Sequence, residues 1–105
     1  MTDLPYKVTP VFDESTLPDG LRRVHSTKEG VWGIVRLLEG RLKLLFPETG
    51  RDLVLTPDVP GLLEPCEPHL VEPLSPFRMR VEFYRDRPST PEARAAPASP
   101  SGRAA

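Results

Sequence analysis

Proline is the feature that most constrains what this chain can become. The 14 prolines run from position 5 to position 100 and leave one long proline-free window, Asp19 to Phe46. Inside a helix, proline removes a backbone hydrogen bond and collides with the preceding turn, at a cost of about 3 kcal/mol. The open window is itself interrupted by Gly20, Gly30, Gly33 and Gly40, and its apolar residues keep no 3.6-residue period. Strands joined by turns are therefore expected. Nine valines and the absence of any alanine before Ala93 point the same way.

The pattern predicts strands near Leu21 to His25, Val31 to Leu38, Arg41 to Phe46, Arg51 to Leu55, Gly61 to Glu64, His69 to Glu72 and Phe77 to Tyr84. Glu39-Gly40 and Pro47-Glu48-Thr49-Gly50 supply the turns between neighbouring runs. The last run alternates cleanly, with Phe77, Met79, Val81 and Phe83 on one face and Arg78, Arg80, Glu82 and Tyr84 on the other. Val31 to Leu38 is apolar on both faces apart from Gly33 and Arg36, as a central strand of a sandwich should be. The expected fold class is all-β, a sandwich or small barrel.

Residues 86–105 hold four prolines and no apolar residue larger than alanine, so nothing there offsets the entropy of ordering. The expected organisation is one folded domain over residues 1–85 and a disordered Pro/Ala-rich tail over residues 86–105. Lys and Arg number 11 against 13 Asp and Glu in the first part, a near balance with no basic stripe, which disfavours nucleic acid as a partner. The first ten residues lack a cationic start and an apolar run, and no window approaches the roughly 20 apolar residues that cross a bilayer. A single cysteine, Cys66, excludes an internal disulfide, and the expected location is cytoplasmic.

Two histidines stand out. His25 lies in the run HSTKE, four residues before Glu29, and on an extended segment the two would share a face and offer one nitrogen and one carboxylate to a divalent metal. His69 follows two prolines in EPCEPHLVE. Taken by spacing alone, each histidine reads as a structural hydrogen-bonding group. Cys66, three residues before His69, reads as a small turn residue or as a thiolate beside imidazole. Trp32 and Arg36 are candidates for pocket lining, and Glu82 reads as half of a surface cross-strand pair.

In order along the chain, LPDGL, VHSTKEGVWGIVRLLEGRLKLLF, LLEPCEPHLVEP and FRMRVEFYRD resemble the TehB/YeaR-like cupin domain over about residues 4 to 87. Members of that family are found alone or ahead of the methyltransferase domain of a tellurite-resistance protein. The resemblance implies a small cupin-like jelly-roll barrel. It also implies a metal site in which His25, Glu29 and His69 are ligands for a divalent ion such as Zn, Fe, Mn or Ni. In the usual cupin pattern the first block carries two close histidines and a glutamate; here it carries one histidine, and Gly33 stands at the glutamate position.

The expected function is a divalent-metal-binding protein that also takes a small anion or metabolite in the barrel, with a role in stress or tellurite resistance. The alternatives are a small-molecule metalloenzyme of cupin type and a metal-free dimeric interaction module. An exposed strand edge makes a homodimer the expected assembly.

Overall fold

The computed structural model describes residues 4–88. Eight strands, β1 (Lys7–Val8), β2 (Phe12–Asp13), β3 (Trp32–Glu39), β4 (Leu42–Phe46), β5 (Arg51–Leu55), β6 (Gly61–Leu63), β7 (Leu70–Pro73) and β8 (Arg78–Tyr84), accompany one 3-10 turn at Asp19–Arg22. They form two antiparallel sheets. In the larger the order is β1-β8-β3-β6, with β2 also paired to β8; in the smaller it is β5-β4-β7. The all-β expectation is met, but the closed cupin-type barrel is not: the two sheets are separate and face one another across a shared core. Val35, Leu37, Met79 and Val81 enter that core from the larger sheet, and Leu42, Leu44, Phe46, Leu55 and Val71 from the smaller.

Local chemistry explains most element boundaries. The β3–β4 connection, which carries the chain from the larger sheet to the smaller, turns at Gly40, whose φ of 81° is readily available only to a residue without a Cβ. Its backbone is also pressed against the neighbouring loop, because a Cβ there would overlap the Pro76 carbonyl oxygen and approach Phe77 Cα to 2.8 Å. Between β4 and β5, Thr49 and Gly50 both donate their backbone N–H to the Phe46 carbonyl, at 3.2 and 2.9 Å.

The strand expected over Leu21 to His25 does not form. Pro18, with φ −60°, starts a turn whose carbonyl accepts from Leu21 N–H at 3.0 Å, and the backbone winds into the 3-10 segment instead. Strands β1 and β2 were not anticipated, because each is only two residues long and Pro5 and Pro10 conceal any alternation.

The outer face of the larger sheet carries a second, smaller core of Ile34, Leu62 and Tyr84, with Trp32 packed against it. Arg87 lies over the Trp32 ring at 5.2 Å and pairs with Glu64 at 3.7 Å, and Pro88 is fully buried. Ordered packing thus continues past the domain end expected at residue 85, while residues 89–105 of the expected tail lie outside the described residues.

Glu82, read from the sequence as a surface residue, is 6% exposed on this outer face. Its carboxylate accepts from Arg36 Nε at 3.0 Å, from Arg80 Nε at 3.0 Å and from the Tyr84 hydroxyl at 3.0 Å. Burial pushes the Glu82 pKa up, but the hydrogen bonds from Arg36, Arg80 and Tyr84 outweigh it and hold the group below its ordinary value. Burial, reinforced by the hydrogen bond to Glu82, pushes the Tyr84 hydroxyl up to about 12.

A carboxylate with a depressed folded-state pKa adds stability above its unfolded pKa, and that stability is lost as pH falls through the folded value. Glu82→Gln should therefore cost about 3 kcal/mol in urea unfolding at pH 7. It should also flatten the loss of stability below the ordinary carboxylate value of 4.5. Gly40→Ala should cost about 2 kcal/mol or more in the same measurement, since strain and overlap act together.

Candidate functional site

The site forms where the chain leaving the 3-10 turn meets His69, the residue just before β7. His25 and His69 face each other as an antiparallel bridge and exchange both backbone hydrogen bonds, His25 N–H to His69 O at 2.9 Å and His69 N–H to His25 O at 2.8 Å. A second bridge joins Thr27 to Pro65, and the Cys66 N–H donates to the Thr27 carbonyl at 3.1 Å. The prolines at 65 and 68 confine the backbone of this loop. Cys66 takes up the remaining turn at φ 64°, a left-handed conformation uncommon outside glycine.

This backbone pairing sets the two imidazoles edge to face, with ring centroids 4.3 Å apart. His25 Nδ1 lies 2.9 Å from the Arg23 carbonyl, and His69 Nδ1 lies 2.9 Å from the Glu67 carbonyl. A carbonyl can only accept, so each Nδ1 carries a proton, and in that neutral tautomer Nε2 is the acceptor.

Both rings line a cavity of about 290 Å³ between the sheets. Its walls are largely apolar, built from Val35, Leu63, Val71, Met79, Val81 and Phe83, while Tyr6, Lys7 and Lys28 also contribute. Tyr6, Lys7 and Lys28 are exposed, whereas His69 is 1% exposed, so the polar feature at the buried end is the imidazole pair.

Behind His69, Phe46 packs edge-on at 6.3 Å, and Arg51 lies over the other side of this contact at 4.3 Å from the Phe46 ring. Arg51 pairs with Glu67 at 3.4 Å. Burial raises the Glu67 pKa despite that arginine, with Glu64 and Glu48 adding to the rise. Arg51 Nε and Glu67 Oε1 are buried without a hydrogen-bond partner.

Burial drives the His69 pKa down to about 4; the hydrogen bond to the Glu67 carbonyl works against this, and His25 adds to the fall. His69 is therefore neutral at pH 7. Here the folded pKa lies below the unfolded value of 6.5, so the unfolded chain gains a proton first on acidification. Stability should then fall by about 3 kcal/mol between those two pH values. Nitrogen-detected NMR should show His69 still neutral and Nδ1-protonated at pH 5, and a midpoint near 6.5 would contradict the assignment.

The other residues singled out from the sequence fall elsewhere. Glu29 sits in an exposed turn, closed by Val31 N–H donating to the Lys28 carbonyl at 3.0 Å with Gly30 at φ 78°. That turn breaks the extended geometry that would have put Glu29 on the face of His25, and Glu29 does not line the cavity. Cys66 is exposed. Trp32 and Arg36 share the strand parity of Ile34, so they lie on the outer face of the larger sheet, away from the cavity lined by Val31 and Val35. The cavity walls were not named as site residues because they read as core; only the packing of two sheets distinguishes a cavity wall from a core residue.

The TehB-like domain family matches residues 7–81. A probable S-adenosyl-L-methionine-dependent methyltransferase TehB from Haemophilus influenzae is 36% identical over 76 residues, which cover 67% of this chain and 26% of the relative. The crystal structure of TehB from Haemophilus influenzae superposes with a TM-score of 0.68 at 34% identity, covering 77% of this chain and 30% of that one. A crystal structure of an E. coli K12 protein, 18% identical, shares the fold with a TM-score of 0.71 over 83% of this chain and 93% of that protein. The chain thus spans about a quarter of the length of the curated relatives it matches.

These findings correct the expectation of a cupin-type metal-binding protein with Zn, Fe, Mn or Ni as cofactor. The relatives are named for S-adenosylmethionine, and no group of three or more His, Cys, Asp or Glu side chains placed to hold a metal occurs among the described residues. Two imidazoles with no carboxylate beside them fall short of the three protein ligands of a typical catalytic zinc centre. With most of its folded length matched by the family and its sheets superposing on those of TehB, the chain belongs to the TehB-like domain family.

Proposed function

We propose that this domain serves S-adenosylmethionine-dependent methyl transfer as a binding domain, holding a small, mostly apolar molecule between its two sheets. The observation that carries this reading is the cavity of about 290 Å³, apolar along its walls and ending at the His25–His69 pair. Its family context supplies the methyl-transfer part, since the Haemophilus relatives bear that activity in their name. Small-molecule sites are typically concave and apolar with a few placed polar groups, and this cavity has that composition.

S-adenosylmethionine itself does not fit these residues. Its carboxylate could meet a lysine, but it also presents a ribose diol, an ammonium and a sulfonium, and dinucleotide-type ribose sites answer the diol with a carboxylate. No carboxylate is among the described residues that line the cavity, and Lys7 and Lys28 near the opening repel cationic groups. The cavity therefore suits the methyl acceptor and not the donor.

The same reading keeps one domain, expected over about residues 1–85 and extended by the packing of Arg87 and Pro88, acting in the cytoplasm. No helix among the described residues is long and apolar enough to cross a membrane. Assembly as a homodimer is supported by strand β5, which among the described residues pairs only with β4 and carries the exposed Val54 (42%).

Amide chemical-shift mapping tests the binding reading with two probes, toluene and S-adenosylmethionine. Toluene should shift the amides of Val31, Val35, Val71 and Val81, and S-adenosylmethionine should leave them in place. Val31→Trp should abolish the toluene shifts. Toluene shifts scattered away from the cavity would defeat the proposal. Light scattering at micromolar concentration should give twice the chain mass, reduced to a single chain by Val54→Lys.

A further inference from the structure

Resting on the binding reading above, we infer that the molecule taken by the cavity is a neutral hydrogen-bond donor, a hydroxyl or thiol compound about the size of one aromatic ring, whose X–H group is received by Nε2 of the His25–His69 pair.

The protons at this end of the cavity already have acceptors. Both Nδ1–H groups are spent on the Arg23 and Glu67 carbonyls at 2.9 Å. The Thr27 hydroxyl, also in the lining, donates to the Val31 carbonyl at 2.8 Å. What the imidazole pair offers inward is lone pairs. No group among the described residues donates to Nε2 of either ring, and each ring is held by its Nδ1 hydrogen bond on a backbone fixed by the reciprocal pairing.

Protonation would turn an Nε2 acceptor into a donor, but burial of His69 and the presence of a second imidazole 4.3 Å away both oppose a positive charge there. An Nε2 open to the cavity can be met by water or by a donor ligand, whereas an occupant with no donor would cover it unpartnered at a cost of about 1 to 3 kcal/mol.

The rest of the cavity excludes the other ligand classes. A carboxylate or phosphate at the buried end would set its lone pairs against those of Nε2. An ammonium would find no carboxylate among the described lining residues. At the imidazoles an ether or a carbonyl would set a second acceptor against Nε2; the donors in the lining, on Tyr6, Lys7, Ser26 and Lys28, belong to exposed residues. The remaining walls, from Val35, Leu63, Val71, Met79, Val81 and Phe83, ask for an apolar body. A volume of about 290 Å³ lies at the small end for ligand sites and accommodates one ring with its substituents. Hydroxyl and thiol compounds are also a class whose heteroatom can accept a methyl group, in keeping with the reading on which this inference rests.

The test is an amide chemical-shift titration of the full chain at pH 7.5 with phenol, toluene, anisole, benzoate and benzylamine. Phenol should shift the His69, Val71 and Val35 amides and bind about fivefold or more tightly than toluene and anisole. Benzoate and benzylamine should bind more weakly than toluene. His25→Leu and His69→Leu should bring phenol to the level of toluene. Should His69→Leu not fold, His25→Leu, at a half-buried position, carries the comparison.

Equal binding of phenol and toluene in the cavity overturns the donor assignment and leaves the binding reading standing. Tightest binding by benzoate overturns it in favour of an anion. Failure of every probe to move the cavity amides overturns both this inference and the reading beneath it.

Discussion

The long antiparallel ladder between β3 and β8 is the contact on which the rest of the structure depends. It runs from Trp32 opposite Tyr84 to Glu39 opposite Arg78, with an irregularity between Leu37 and Glu39. Because side chains alternate across a strand, this one ladder serves two interiors. One face delivers Val35, Leu37, Met79 and Val81 to the main core and the cavity. Its reverse carries Ile34, Tyr84 and the Glu82 carboxylate with its arginines. A one-residue slip in register would send the charged network into the core and the core into solvent, so the register is strongly specified.

Glu82 shows how that arrangement is tolerated. A buried carboxylate is costly unless its hydrogen-bonding capacity is met, and three donors on two strands meet it here. The outer face is thereby converted from a solvated surface into a small second interior, closed at one end by Arg87 on Trp32. At the site the opposite choice is made. His69 is equally buried, yet it is kept neutral, with one nitrogen satisfied by a backbone carbonyl and the other left toward the cavity. One buried group is charged and fully partnered; the other is uncharged and partly open. The first supports the scaffold and the second is available to a ligand.

Much of the scaffold was legible from local chemistry. Proline positions excluded helices, Gly40 and Gly50 marked the tight turns, and the alternation from Phe77 to Tyr84 placed the correct residues inward. The missing strand over Leu21 to His25 reflects competition that alternation cannot express, since Pro18 and Gly20 favour a local turn over distant pairing. The order of motifs also disclosed the family. The site was only half legible. His25 and His69 were identified, and the fold brings them together. Glu29 was placed beside His25 on the assumption of an extended segment, which the turn at Lys28–Val31 replaces. Trp32 and Arg36 were assigned to a pocket although their parity puts them on the other face.

The sequence by itself determined the all-β class, the turns and the inward face of the longest alternating strand, because proline, glycine and period-two alternation act through neighbouring residues. Tertiary structure alone decided that two histidines 44 positions apart exchange backbone hydrogen bonds. It also decided that the sheets stay separate around a cavity, and that Glu82 is buried while Glu29 is not. The reason is physical: hydrogen bonding across strands and desolvation depend on which distant segments meet, and a local pattern records only what each segment can do when they do.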